Sequence, residues 1–478
     1  MLQSRKIVLL EANEIPFRIF DRYVANHDAS ALARHLPACR QYMTFAIDSG
    51  HLSPWVTWPT LHRGVSNDEH KIRAFGEDLT EANEKFPPIW ELLNRGGVKT
   101  GVFGPLHSWP LPERPERFDF FVPDTFANTP ECYPDELTSF QRFNLAMARK
   151  SPRNVSSEVD WKSAVQFMVR APALGLRPKT VMELASQLIQ ERTLPWKRIR
   201  RRTFQPVLAF DLFMKQLERH RPAFSNFFTN HVASSMHRFW AAIFPDEYDA
   251  LELGEEWQEQ YGGEIDFCMA WTNDFFERLT SFADQNPEYL ILVASSMGQA
   301  AASGKRIATQ LYLRKPERLL AKAGVGEGEW ERRPSMEPAV SLYVAEHRCD
   351  EFRSFLNRME IRGEAVYFDE KDGGFFDLHF GQTNLQADEA FASVDGAPVP
   401  FAELGLESVE LEDEAGSTAY HVPEGTLFIY DPQNRERRAQ PRPRLDTIEI
   451  APALLTHFGL DVPPYMRKPS SFRIVEAR

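Results

Sequence analysis

Four apolar runs of this chain end on acids, imidazoles or hydroxyls. In KIVLLEAN (6–13) the run Ile7–Leu10 meets Glu11, with Asn13 and Glu14 close behind. In FFTNHVASSMHRFW (227–240) Asn230, His231 and His237 follow an apolar strand directly. LILVASSMGQ (290–299) runs into Ser295, Ser296 and Met297, and HVPEGTLFIYDP (421–432) sets His421 ahead of a Pro-x-Gly turn and another strand. Ligands of open α/β sheets bind outside the carboxyl ends of the strands. Carboxylates and imidazoles placed there hold divalent cations or carry protons. A lone histidine is more often structural than a ligand, but two histidines and an asparagine straight after a strand bring the two readings level. Thr57, in TWPTLHRGVSNDEHKI (57–72), reads by itself as a helix N-cap ahead of WPTL.

These side chains need a sheet to position them. PIWELLNRGGVKTGVFG (88–104) is a helix stopped by Gly96-Gly97 and followed by a strand. Strands alternating with helices imply an α/β fold, a central mostly parallel sheet with helices on both faces. Five segments follow: a first part of the α/β core (1–134), a helical insertion or cap (135–222), a second part of the core (223–310), a smaller α+β subdomain (311–415) and a C-terminal part of the core (416–478). The run WKRIRRR (196–202) reads as a solvated helix face or, more sharply, as a patch for an anion. NRERRAQPRPR (434–444) reads as a polar linker.

Composition narrows the function. A formal net charge of −13 argues against nucleic acid as a polymer ligand. No apolar run approaches the roughly 18–20 residues that a membrane span needs. The N-terminal stretch reads as a first strand rather than a secretory signal, so a cytoplasmic location is expected. The four cysteines lie far apart with no CxxC pair, which suits reduced structural thiols. No Gly-x-Ser-x-Gly elbow, HExxH or full dinucleotide fingerprint occurs.

Taken together, TWPTLHRGVSNDEHKI, HVPEGTLFIYDP, PIWELLNRGGVKTGVFG and DTIEIAPALLTHFGLDVPPYM (446–466) resemble the alkaline phosphatase superfamily, in its type I phosphodiesterase and nucleotide pyrophosphatase branch. The resemblance is scattered over most of the chain and misses the helical insertion. It implies two divalent metals at the strand ends and a threonine or serine at a helix N-terminus that attacks phosphorus. Carried onto this chain, the nucleophile falls on Thr57, with Thr60 as competitor because the interval to Gly64 is short by about one helical turn. The first metal ligand falls on Glu11, one methylene longer than the family's aspartate, with Asn13 and Glu14 as second candidates. The next pair falls on Asn230 and His237, with His231 as an extra candidate, and the late histidine on His421.

The family's Asp-His-Gly after the next strand reads Ser296-Met297-Gly298 here. Serine is a weak neutral ligand and methionine a soft one. One matching carboxylate cannot neutralise two dications. The resemblance therefore implies at most one ion (Zn, Mn, Mg or Ca), or none, held among Asn230, His237 and His421, with Glu11, Thr57 and Ser296 at the weakened second site. The expected activity is hydrolysis of a small-molecule phosphate ester. The alternative is a catalytically degenerate phosphodiesterase-like protein that binds or regulates. Substrate identity and oligomeric state are not legible.

Overall fold

The computed structural model describes residues 5–150, 161–335, 338–371, 373–436, 441–467 and 472–475. Its centre is an eight-stranded sheet of β1 (Lys6–Ala12), β2 (Arg40–Phe45), β3 (Thr100–Phe103), β4 (Phe120–Val122), β5 (Phe224–Thr229), β6 (Tyr289–Ala294), β9 (Leu427–Tyr430) and β10 (Arg444–Asp446). A separate antiparallel pair, β7 (Gly298–Ala301) and β8 (Ala419–Val422), stands beyond the end of β6. The order in the main sheet is β10-β2-β9-β6-β1-β5-β3-β4. Every neighbouring pair is parallel except those of β9, which runs antiparallel to both β6 and β2. The expected α/β architecture is thus present, with one reversed strand at its middle.

β1 shows why the sheet is covered on both faces. Val8 and Leu10 point into one apolar cluster and Ile7 and Leu9 into another, the period-2 alternation of a strand buried on both sides. Helix α1 (Pro54–Arg63) packs on the second face, beside helices Ile89–Arg95 and Ile450–His457. The first face carries α3 (Arg201–His220), α4 (His231–Ile243) and α5 (Glu264–Gln285). Helix α2 (Thr138–Lys150) leads into the region expected to be a helical insertion, where helices Trp161–Leu174 and Pro178–Thr193 follow. Residues 151–160 of that region lie outside the described ones. Its last helix, α3, contributes Phe210 and Phe213 to the core of the main sheet.

The basic run is spent on internal pairing. Lys197 Nζ donates to Gln190 Oε1 at 2.9 Å, Arg198 reaches Glu412 at 3.1 Å, and Arg201 Nε donates to Glu191 Oε2 at 2.8 Å. Arg200 grips the carboxylate of buried Glu264 with two nitrogens, Nε lying 2.9 Å from Oε2. Neither a solvated face nor a free anion patch describes it. The region 311–415 forms two four-stranded antiparallel sheets and short helices over its own core of Leu342, Phe352, Phe376 and Leu404. Cys39, Cys132, Cys268 and Cys349 are free and buried, and burial pushes the Cys39 thiol above its ordinary range. Residues 437–440 of the expected linker lie outside the described ones. Among the described residues no helix is long and apolar enough to cross a membrane.

Candidate metal centre

Beyond the end of β1 the chain makes a tight turn in which Glu14 takes a left-handed backbone conformation, φ +59°. A non-glycine residue there is uncommon and costs about 1–3 kcal/mol, so surrounding contacts must hold it. They do. Asn13 Nδ2 donates to Glu14 Oε1 at 2.7 Å and to Asn230 Oδ1 at 2.6 Å, while its own Oδ1 accepts from Trp58 Nε1 at 2.7 Å. Gln299 Nε2 donates to Glu14 Oε2. The turn thereby aims a buried carboxylate at two histidines.

Those histidines come from distant elements. His237 sits on α4 and His421 on β8. Their Nε2 atoms stand 3.0 and 3.3 Å from Glu14 Oε2. Each Nδ1 faces a backbone carbonyl, Ala419 O at 2.9 Å for His237 and Leu52 O at 2.6 Å for His421. A carbonyl only accepts, so each Nδ1 carries the proton and each Nε2 directs a lone pair at the carboxylate. Three such atoms facing one another require a cation between them, a proton or a metal. Burial alone would raise the Glu14 carboxyl, but His421 and His237 outweigh it and hold it well below the usual carboxylate range. Burial alone would lower His421, yet Glu14 raises it, helped by the Leu52 carbonyl.

The donor set fits a divalent cation. The three ligand atoms lie within 4.8 Å of one another. Ligands of tetrahedral zinc at about 2.0–2.1 Å stand roughly 3.3 Å apart, close to the spacings of Nε2 from Oε2 here. His421 Nε2 is buried and makes no hydrogen bond. Nδ1 bonds to carbonyls are the usual outer support of ligating histidines. Three protein ligands also leave one position open, as at catalytic rather than structural zinc.

The other sequence candidates occupy different surroundings. Glu11 lies apart from the histidine pair, on the face of the sheet under α1. His62 Nε2 is 3.1 Å from its Oε1 and Asn226 Nδ2 donates to that oxygen at 2.7 Å. Glu14, a second candidate in the sequence, stands where Glu11 was expected. Among the described residues, Asn230 is tied to the cluster by its hydrogen bond to Asn13. His231 is locked neutral: Thr229 Oγ1 donates to its Nδ1 at 2.6 Å, and its Nε2 donates to Cys268 O at 3.1 Å. Burial takes its pKa down to about 4. Ser295 is structural, its Oγ accepting from Ile15 N at 3.2 Å and donating to backbone carbonyls.

Thr57 is the fourth residue of α1 rather than its cap, and it is fully buried. Its Oγ1 and Ser296 Oγ are 2.7 Å apart. The cap is Ser53, whose carbonyl accepts from the Val56 and Thr57 amides and whose buried side chain makes no cap bond. Ser53 follows Leu52, the residue that holds His421. The Ser-Pro opening of α1 was the available sequence signal for it. Thr60 belongs to a separate network: its Oγ1 donates to Asp48, and His70 Nε2 lies 3.0 Å away. Ile72 N donates to His70 Nδ1 at 3.0 Å, so Nε2 carries the proton. Burial lifts Asp48 to about 6 and drops His70 to about 3.

No family model matches the chain, and no curated protein does. Among solved structures it is similar to murine ectonucleotide pyrophosphatase/phosphodiesterase 5, with 9% identity over 96% of each chain and a TM-score of 0.40. It is likewise similar to phosphonoacetate hydrolase from Sinorhizobium meliloti, with 11% identity over 96% of this chain and 95% of that one and a TM-score of 0.40. A third similarity is to the alkaline phosphatase of the Antarctic bacterium TAB5, with 10% identity over 96% and 100% and a TM-score of 0.38.

Proposed function

We propose that this protein is a phosphoric ester hydrolase of the phosphodiesterase and nucleotide pyrophosphatase kind, built around one divalent cation held by Glu14, His237 and His421. The observation that carries the reading is the convergence of two Nδ1-anchored imidazoles on one buried carboxylate. When bound, such a cation polarises a phosphoryl oxygen and offsets charge on the leaving oxygen. Asn13 keeps Glu14 oriented and ties Asn230 and Trp58 into the same frame. Thr57 is the hydroxyl assigned to attack, with Ser296 Oγ as its hydrogen-bond partner in the resting state. Glu11 bonds to Asn226 and faces His62 beneath α1.

Two observations favour the alternative, a degenerate protein that binds without turnover. Neither an acid nor an imidazole hydrogen-bonds the Thr57 hydroxyl among the described residues, and Ser296-Met297 replaces the acid-imidazole pair that the family resemblance implies. Elemental analysis of the purified protein separates the two readings. It should be paired with hydrolysis of bis(p-nitrophenyl) phosphate and p-nitrophenyl phosphate under added Zn²⁺, Mn²⁺, Mg²⁺ or Ca²⁺. The hydrolase reading expects about one ion per chain and turnover lost in Thr57→Ala with the ion retained. Turnover lost in Ser53→Ala instead would move the attack to the cap. No ion and no turnover under any metal would leave the binding protein.

A further inference from the structure

One hydrogen bond from the cluster, through Asn13, lies a cavity of about 210 Å³, off the carboxyl ends of β1, β5, β3 and β4. Asn13, which donates to Glu14, and Asn230, which accepts from Asn13, belong to its wall, as does Pro54 at the start of α1. Five phenylalanines give it flat apolar surface: Phe75, Phe103, Phe126, Phe227 and Phe228. Phe126 is itself stacked on Phe75 with ring centroids 4.0 Å apart, which fixes its plane. Helices α2 and α3 close the far side through Ala148 and Ala209, with Gln205 and Arg202 beside them. Gln205 Nε2 is committed to Asn144 Oδ1 at 2.6 Å, so this wall is built rather than adaptable.

Two features define what fits. Among the described residues no carboxylate lines the cavity, although the chain carries 68 acids, and an arginine does line it. An anion bearing an apolar group therefore meets no repulsion there. Size sets the other limit. A cavity of about 150 Å³ holds benzene, whereas drug-sized ligands need roughly 300–1,000 Å³. One ring or two fused rings match the space.

We propose that this cavity is the subsite for the organic group of the substrate, a compact aromatic or similarly flat apolar moiety whose phosphate lies at the Glu14, His237 and His421 cluster. The assignment of the phosphate rests on the hydrolase reading; the assignment of the apolar group rests on the cavity itself. The test is calorimetric binding of 1-naphthyl phosphate, glycerol 1-phosphate and 1-naphthol, with Zn²⁺ and after chelation. The wild type with Zn²⁺ should bind 1-naphthyl phosphate at least tenfold more tightly than glycerol 1-phosphate. Ala209→Phe, or Ala148→Phe on the other helix should the first not fold, should erase that advantage with zinc content unchanged. 1-Naphthol should bind even the chelated protein and lose affinity in the same variants, so a failure of the cation reading leaves this result standing. Equal binding of the two esters, or an advantage that survives both substitutions, would overturn the proposal.

Discussion

The two carboxylates that follow Leu10 are three residues apart and have opposite surroundings. Glu14 sits in a left-handed turn and faces two imidazoles that stem from elements over 180 residues apart. Glu11 is a strand residue, fully buried, with His62 and Asn226 on one oxygen and, among the described residues, no hydrogen-bond partner on the other. One carboxylate is paired with groups whose own protons are pinned elsewhere, so it needs a cation. The other is paired with donors on neighbouring elements, so it needs only the fold. A carboxylate at a strand end is thus not by itself a ligand; what decides is whether the facing donors have already spent their protons.

Three substitutions test that contrast. The largest effect is expected for His421→Ala, which removes a proposed ligand and leaves Glu14 with one imidazole. Zinc affinity measured by competition with a chelator should fall at least 100-fold, while thermal unfolding of the apo protein changes little. A variant that keeps its zinc would break the contrast on the Glu14 side. Next comes Glu11→Ala, which strands His62 and Asn226 in the interior. Removing one partner of a buried pair costs about 3–5 kcal/mol, read by denaturant unfolding, with zinc content unchanged in whatever remains folded. Loss of zinc at normal stability would make Glu11 a ligand after all.

The smallest effect is at Asp48, which sharpens the same point by pH. Burial raises its carboxyl from 3.8 to about 6, so the folded state holds a proton that the unfolded chain has released. Stability therefore falls as pH rises from about 4 through about 6 and stays at the lower level above. Asp48→Asn keeps an oxygen for Thr60 and for the Asn67 amide, which donates at 3.2 Å. It should be more stable than wild type by roughly 1–2 kcal/mol at pH 7, allowing for partial solvent screening, and should show no gain at pH 4. Urea midpoints at the two pH values measure this; an equal gain at both would assign it to something other than the charge.

Much of this arrangement was legible in the residues. The strand ends at Glu11, Asn230, Ala294 and Leu427 follow from apolar runs and turn residues, and His237 and His421 stand out as imidazoles beside strands. What escaped has physical causes. The side chain that joins the histidines is set by the φ of Glu14, and a left-handed glutamate carries no composition signal. The direction of β9 is fixed by its pairing with Val293 and Gln41, far away in sequence. WKRIRRR has the composition of an exposed basic face, but Glu191, Glu264 and Glu412, scattered over the chain, neutralise it in three dimensions.

The reversed strand β9 also imposes a schedule. β2 is among the first segments to be synthesised, yet its strand neighbours in the sheet are β9, paired through residues 427–429, and β10, which comes later still. Until then β6 presents a bare edge of backbone amides and carbonyls, the kind of surface that nascent chains must shield from one another. His421 arrives on the same stretch of chain. At the proposed centre of Glu14, His237 and His421, a metal ion would therefore be captured late, once the sheet has closed.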